Sequence, residues 1–183
     1  VPLMSRKDGS TDDYLRELSI ALGGSAVDAS DLVFFTVKTT LANQKTRVLS
    51  IVDTYWQFAP ESFVFFTDSP PSSFESKTGN ELPTIRPLDP PIQSPTRDNF
   101  SLVNTLCSAT HEIDGLCCKT ACEIVYYNEH STSDWMCHLD DDTYLNYPQM
   151  VKYLSQFDPR EEHYIGFSPT ADGTWAVDTK RKE

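Results

Sequence analysis

Blocks of apolar and polar positions along the chain predict an α/β protein. Two continuous runs of apolar and β-branched residues, 32–37 and 62–67, are typical of buried strands. Between them, apolar residues recur at helical spacing from about Asn43 to Phe58, and Pro60 ends the predicted helix. A third apolar run, 134–139, predicts another buried strand.

Further helices are predicted between and after these strands. Regular structure resumes over 100–107, and a helix is predicted over 118–128 with three apolar residues facing inward: Ala121, Ile124 and Val125. Another helix begins near Pro148, a residue suited to a first helical turn, and residues 164–166 predict one more strand. This order of elements implies a mainly parallel sheet with helices on both faces.

Two segments differ in character from the rest. Residues 1–29 are polar at first and have little to bury, so they are interpreted as a stem or linker before a domain that spans 30–183. Residues 69–97 hold seven of the twelve prolines, which predicts a long irregular loop with at most one short edge strand near 84–86.

Charge and hydropathy narrow the class of partner. The chain has 15 basic and 27 acidic residues, a net charge of −12, and this argues against a nucleic acid or an anionic membrane as partner. No apolar run is long enough to span a bilayer, and the first thirty residues show no signal-peptide pattern. The chain begins with Val1 rather than Met, and its last residues directly follow a strand-like segment. We therefore expect a fragment of a longer protein.

Five cysteines leave two kinds of chemistry open. They form no CxxC pair, so a zinc ribbon is not expected. One alternative is a clustered zinc site with these ligands: Cys118, Cys122 and His111 or His138. Disulfides in a secretory lumen fit better, and the triplet Asn99-Phe100-Ser101, a glycosylation acceptor pattern, points the same way.

Three consecutive carboxylates, residues 140–142, follow the predicted strand 134–139. The carboxyl ends of strands in α/β proteins are where ligands bind, and like charges in a row repel unless solvent or a cation offsets them. Oxygen ligands suit Mg²⁺ or Mn²⁺ shared with phosphate oxygens, although an acidic surface turn is the plain alternative. No GxGxxG or Walker A pattern is present, so phosphate binding would depend on metal and side chains.

Other charged residues have ordinary interpretations beside functional ones. Arg47 could bind a phosphate or form an ion pair on the helix surface, for instance with Asp53. Lys119 could reach a phosphate, but a solvated lysine at a helix start is the expected state. His138 lies within the predicted strand and is expected to point into packing rather than to act as a base.

Several blocks together resemble one family. The residues concerned are 37–40, Arg47, Thr54, 63–68, 107–111, 118–119, 135–144 and 164–169. Over about 31–170 the chain resembles the amino-terminal half of the Fringe glycosyltransferases. The three aspartates are shared with other β-1,3-glycosyltransferases, whereas the Cys-His before them and the Cys-Ser-Ala-x-His block narrow the resemblance to Fringe.

The resemblance implies a GT-A fold, a Rossmann-like sheet with flanking helices, truncated in this chain. It implies transfer of N-acetylglucosamine from UDP-GlcNAc, with Mn²⁺, in β-1,3 linkage to O-linked fucose on epidermal-growth-factor-like (EGF-like) repeats of Notch-type proteins. Family members act on the lumenal side of the Golgi membrane as type II membrane proteins, so an anchor would lie upstream of Val1.

The resemblance also assigns residues. Asp142 matches a manganese ligand, while Asp141 and Arg47 match residues that contact the sugar nucleotide. Cys107 and Cys118 match a disulfide pair, and the partner of Cys137 would lie beyond the chain. Cys117 and Cys122 have no match in the family.

The family's catalytic base would follow Glu183, so this chain holds no matching base. A non-catalytic or truncated donor-binding fragment is therefore an alternative. Another β-1,3-glycosyltransferase, such as a galactosyltransferase, is a second. Were a base inside the chain, three aspartates would be the candidates: Asp68, Asp172 and Asp178.

Overall fold

Four parallel strands form one sheet in the computed structural model, which describes residues 32–68, 89–110 and 112–166. The strands are β1 (Val33–Lys38), β2 (Phe63–Thr67), β3 (Leu102–Asn104) and β4 (Trp135–Asp140). Their order in the sheet is β3-β2-β1-β4, and every neighbouring pair is parallel. The predicted mainly parallel α/β sheet is confirmed, whereas the stem at 1–29 and the edge strand at 84–86 lie outside the described residues.

The register of the sheet aligns the carboxyl ends of three strands. Lys38, the last residue of β1, lies opposite Phe66 of β2 and Asp140 of β4. Because parallel strands point the same way, the residues that follow β1, β2 and β4 meet at one edge of the sheet. We call this edge the carboxyl edge.

One face of the sheet is covered by apolar side chains. Phe35 of β1 stacks on Phe63 of β2 with ring centroids 4.2 Å apart. Helix α3 (Tyr147–Leu154) packs on this face through three buried residues: Tyr147, Val151 and Leu154. Its first turn is capped by Asn146, whose side chain accepts a hydrogen bond from the Gln149 amide, and Pro148 occupies the first turn as predicted.

The helix predicted from about Asn43 to Phe58 is broken in the structure. A 3-10 turn (Leu41–Asn43), a π-helical turn (Gln44–Val48) and the short α1 (Leu49–Val52) follow one another, and a separate 3-10 turn covers Tyr55–Phe58. Hydroxyl groups explain part of the break, because Ser50 donates to the Thr46 carbonyl and Thr54 donates to the Ser50 carbonyl. Such bonds to the preceding turn bend helices.

The opposite face of the sheet is covered by α2 (Ile113–His130), which is longer than the predicted 118–128. The prediction of its inward face was wrong: Ala121 is exposed, and Ile124 and Val125 are each 54% exposed. The buried positions are Gly115, Lys119, Glu123 and Tyr126. The reason is that β1 presents the polar side chain of Thr36 on this face, which hydrogen-bonds Glu123.

The strand predicted at 164–166 is absent from the described residues. Tyr164 is fully exposed, and the segment pairs with none of the four strands. A strand needs a partner for its backbone groups, and none of the four strands supplies one here. Within the described residues, no helix combines the length and the hydropathy needed to cross a bilayer.

Candidate functional site

The candidate site lies at the carboxyl edge, where backbone hydrogen bonds continue for one residue past the strands. The Thr39 amide donates to the Phe66 carbonyl at 2.8 Å, and the Asp141 amide donates to the Lys38 carbonyl at 3.1 Å. The loop after β1 and the turn after β4 are therefore fixed side by side. The predicted strand that leads into the three aspartates is confirmed, whereas ligand binding at this edge stays a prediction.

Asp141 is buried and holds the two segments together. One carboxylate oxygen accepts hydrogen bonds from Thr39 Oγ1 at 2.7 Å and Asn43 Nδ2 at 2.9 Å. The other accepts from Arg47 Nη1 at 2.7 Å. A carboxylate offers about four lone-pair positions, so these three donors leave Asp141 room for about one more contact.

Arg47 lies in the π-helical turn and bridges two of the three aspartates. Its Nη1 is 2.7 Å from Asp141 Oδ1 and 3.3 Å from Asp142 Oδ2, and the hydrogen bond to Asp141 raises the pKa of the guanidinium. The alternative pairing with Asp53 is wrong, because Asp53 accepts two hydrogen bonds from Arg97. Single π-helical turns occur often at functional sites, but sequence periodicity does not reveal them.

Asp140 and Asp142 face the solvent, with side chains 57% and 65% exposed. Lys38 Nζ lies 3.2 Å from Asp140 Oδ1 and partly offsets its charge. Both accessible carboxylates offer oxygen atoms only, and among the described residues the three aspartates do not converge on a common point. This chemistry fits Mn²⁺ or Mg²⁺ and would fit a soft metal poorly.

Lys119 is buried, so the prediction of a solvated lysine was wrong. Because α2 begins at Ile113 rather than near 118, Lys119 lies in the second turn and faces the sheet. Its ammonium forms an ion pair with the Asp68 carboxylate and donates to the Thr39 carbonyl at 3.3 Å. Gly115, Lys119 and Glu123 are spaced by four, a signal that an apolar criterion overlooks.

Asp68, a fallback candidate for the base, is held in that ion pair. Its side chain is 3% exposed, and its other oxygen accepts a hydrogen bond from the Leu41 amide at 3.0 Å. Because this carboxylate is buried and paired with Lys119, an incoming hydroxyl cannot reach it. Asp172 and Asp178, the other two fallback candidates, lie outside the described residues.

A cleft of about 250 Å³ opens between the loop after β1, the start of α2 and the aspartates. Basic and acidic side chains line it together: Lys38, Arg47, Lys119, Asp140, Asp141 and Asp142. A second groove of about 330 Å³ lies on the other side of Arg47 and includes Tyr55 and Tyr144. The Tyr144 ring is 78% exposed and meets Tyr55 edge to face at 5.8 Å. Mixed charge and exposed aromatic surface suit a polar ligand that has both anionic and ring components.

His138 lies below the carboxyl edge, on the face that α2 covers. Its Nδ1 is 2.5 Å from the Glu123 carboxylate, which also accepts a hydrogen bond from Thr36 Oγ1 at 2.8 Å. Glu123 is fully buried, and its Oε1 has no hydrogen-bond partner among the described residues. The imidazole contacts Glu123 rather than the cleft, in line with the expected packing role. It is nevertheless about a third exposed, so it is not fully packed.

The structure joins Cys107 and Cys118 in a disulfide, with Cα atoms 5.9 Å apart. The zinc alternative is therefore wrong for Cys118, and His111 lies outside the described residues. Cys122 Sγ lies 3.9 Å from Cys107 Sγ, Cys117 is exposed, and burial raises the pKa of the Cys137 thiol to about 11.

The disulfide places the loop after β3 against the start of α2. A Cβ on Gly115 would lie 2.8 Å from the Thr110 carbonyl, so only glycine allows this approach. The first turns of α2, including Lys119, are thereby fixed relative to the loop that ends at Thr110.

Asn99, the candidate glycosylation site, is exposed in a short turn that pairs with Thr96 through two backbone hydrogen bonds. Its glycosylation stays a prediction.

The geometry defines an α/β domain with a candidate ligand site at the carboxyl edge of a parallel sheet, and comparison with known proteins identifies the family. The Fringe-like family model matches residues 27–86 and 88–180. The chain belongs to the Fringe-like family. Its sheet and flanking helices are consistent with a GT-A-like glycosyltransferase domain.

Similar proteins carry glycosyltransferase names. The chain is 33% identical over 158 residues to "Fringe glycosyltransferase" of Drosophila melanogaster, covering 84% of this chain and 33% of that protein. It is 32% identical over 146 residues to the radical fringe β-1,3-N-acetylglucosaminyltransferase of Gallus gallus, covering 79% and 34%. For lunatic fringe of Xenopus laevis the identity is 33% over 146 residues, covering 80% and 32%. The chain spans about a third of the length of these relatives.

Proposed function

We propose that this chain forms the donor- and metal-binding part of a β-1,3-N-acetylglucosaminyltransferase. Its donor is UDP-GlcNAc and its acceptor is O-linked fucose on EGF-like repeats of Notch-type proteins. The observation that supports the proposal is the cluster at the carboxyl edge, where Arg47 bridges a buried Asp141 and an exposed Asp142. The names of the relatives support the choice of transferred sugar.

The roles follow from the contacts of each residue. Asp142 would hold Mn²⁺, because its carboxylate is accessible and offers oxygen only. When bound, the ion would neutralise the charge that grows on the diphosphate leaving group. Arg47 reduces the repulsion between the carboxylates of Asp141 and Asp142, and it can donate a hydrogen bond to a phosphate oxygen. Asp141 has room to accept one hydrogen bond from a hydroxyl group of the sugar nucleotide.

Lumenal Golgi localisation belongs to the same proposal. The Cys107–Cys118 disulfide suits an oxidising compartment, and the exposed Asn99 suits glycosylation there. The acidic net charge of −12 gives no support to a nucleic acid partner.

Donor binding without transfer is a second candidate, and one observation favours it. Asp141 of the cleft and Asp68, the ion-pair partner of Lys119, are both buried and bonded to other groups of the chain. An acceptor hydroxyl needs a free base within hydrogen-bond reach. Transfer of GlcNAc to an O-fucosylated EGF-like repeat separates an enzyme from a donor-binding protein.

The test of the site is calorimetric titration of UDP into the chain with and without Mn²⁺. We expect Asp142→Asn to weaken Mn²⁺-dependent UDP binding by at least about tenfold. Its thermal unfolding should stay unchanged, because the side chain is exposed. Asp98→Asn, a control at an exposed aspartate that lies 3.8 Å from Arg97, should bind as the parent does.

Equal affinities of the parent and Asp142→Asn would contradict the metal assignment. Titration of UDP-GlcNAc beside UDP-galactose then addresses the donor. A preference for UDP-galactose would favour the galactosyltransferase alternative.

A further inference from the structure

We propose that Lys119 and Asp68 are positioning residues of the nucleotide site. Their buried ion pair fixes the loop 39–43, and that loop in turn fixes Asp141. The inference rests on the proposed function only for the identity of the ligand, since the contacts belong to this chain alone.

The ion pair reaches the loop at two points. Lys119 Nζ donates to the Thr39 carbonyl at 3.3 Å, and Asp68 Oδ1 accepts from the Leu41 amide at 3.0 Å. Both side chains are 3% exposed, so neither bond competes with water. The loop is thereby bonded to α2 through Lys119 and to the end of β2 through Asp68.

The same loop bonds to the acidic cluster from its other side. Thr39 Oγ1 and Asn43 Nδ2 donate to Asp141 at 2.7 and 2.9 Å. One continuous series of hydrogen bonds therefore leads from α2 to the turn that contains the aspartates. A displacement of the loop would move Asp141, and with it the guanidinium of Arg47.

Stability alone does not account for this arrangement. Burying two charges carries a desolvation cost that an ion pair often only offsets, and apolar side chains of similar size are frequently as stable. Several buried positions on this face of β1 and β2 are apolar, among them Phe34, Val64 and Phe66, while Thr36 is polar. A buried charged pair on this face is better explained by the hydrogen bonds that it makes to the loop.

A direct contact between Lys119 and a phosphate is the competing explanation. An ammonium group has three donors, and Lys119 uses two of them on Asp68 and Thr39. Its side chain also lines the cleft. The two explanations differ in what they expect when Asp68 loses its charge, and this difference decides the test.

The test uses the full chain with three changes: Lys119→Met, Asp68→Asn and the two combined. UDP with Mn²⁺ is the probe in calorimetry, and urea unfolding reports stability. Arg97→Met is the matched control, because it breaks an ion pair with Asp53 that lies outside the cleft.

If the pair positions the loop, Asp68→Asn and Lys119→Met each weaken UDP binding by at least about tenfold. The double variant regains stability, since no unpaired charge is buried, but its affinity stays low. Arg97→Met binds UDP as the parent does. If Lys119→Met does not fold, Asp68→Asn and the double variant carry the same comparison.

Two results would overturn the inference. Tighter UDP binding by Asp68→Asn would show a lysine freed to contact phosphate directly. Full recovery of affinity together with stability in the double variant would show a structural role only.

Hydrogen exchange separates this inference from the proposed function. If the parent binds no UDP with Mn²⁺, the proposed function fails, but the positioning role still predicts faster exchange of the Leu41 and Asp141 amides in Asp68→Asn and in the double variant. Unchanged exchange at both amides would overturn the positioning role whether or not UDP binds.

Discussion

The two faces of the four-stranded sheet differ in the kind of side chain that they bury. The face that packs on α3 is lined by aromatic and aliphatic side chains such as Phe35 and Phe63. The face that packs on α2 buries a small apolar cluster around Tyr126 together with two charged groups of α2, Lys119 and Glu123. Both faces are largely buried. The first reaches the carboxyl edge through one hydrogen bond, from the Tyr55 hydroxyl to the Thr143 carbonyl, whereas the Lys119–Asp68 pair of the second bonds to the loop after β1 at two points.

The difference teaches where stability and site geometry come from. Apolar burial is favourable and non-directional, so the α3 face supplies free energy without specifying where the loops go. Buried polar groups need partners at defined distances, so the α2 face specifies the loop after β1 at a cost in desolvation. Three predictions test this contrast, from the largest expected effect to the smallest.

The first prediction concerns the α3 face. Phe63→Ala should lower the free energy of unfolding by about 3–5 kcal/mol, because the ring is buried and stacks on Phe35. Urea unfolding measures the loss. Val125→Ala, at a half-exposed position on the outer side of α2, is the control and should change stability by less than about 0.5 kcal/mol. Equal losses for the two variants would contradict the assigned core.

The second prediction concerns the polar layer of the α2 face, by which we mean Thr36, Glu123 and His138. Glu123→Met should cost about 1–3 kcal/mol, because the Thr36 hydroxyl loses its buried acceptor. Adding Thr36→Val should recover most of that loss, since no buried polar group then lacks a partner. His138 is partly exposed and can bond to water. A double variant no more stable than Glu123→Met would show that the layer contributes net stability after all.

The third prediction compares thiols on the two sides. Burial raises the pKa of the Cys122 and Cys137 thiols above the ordinary value of 9.0, and to about 11 for Cys137, while Cys117 is exposed. Iodoacetamide at about pH 8 should therefore label Cys117 first and Cys137 last. Mass spectrometry of native samples over time gives the order.

The raised pKa of the Cys137 thiol also makes the free energy of unfolding depend on pH. The folded state holds the Cys137 proton more tightly than the unfolded state, so its contribution is complete below pH 9.0 and declines as the pH rises towards about 11. Cys137→Ala should remove this part of the alkaline loss. Labelling of Cys137 as fast as Cys117 would contradict its burial.

Much of the sheet could be predicted from sequence, because β1, β2 and β4 are apolar runs of strand length that end in polar residues. The position of Asp140, Asp141 and Asp142 at the carboxyl edge could be predicted in the same way, because they directly follow an apolar run of strand length. The roles of Arg47 and of the Cys107–Cys118 pair came only from the resemblance to a family.

Other features could not be predicted, for identifiable reasons. The inward face of α2 was assigned by its apolar residues. Lys119 and Glu123 lie inside because Asp68 pairs with Lys119, and Thr36 and His138 bond to Glu123. Those partners are distant in sequence. The π-helical turn that places Arg47 was not predicted either, because local periodicity shows only a helix.

The bond between Thr39 and Asp141 joins residues 102 positions apart, and this separation has a consequence for how the site forms. β4 must close a long loop before it can pair with β1, and such non-local parallel pairing is slow. The acidic cluster therefore exists only after that closure. A ligand that contacts both the loop after β1 and the turn after β4 binds only the state in which β4 is paired with β1. Ligand binding therefore stabilises that pairing, and the stabilisation grows with ligand concentration.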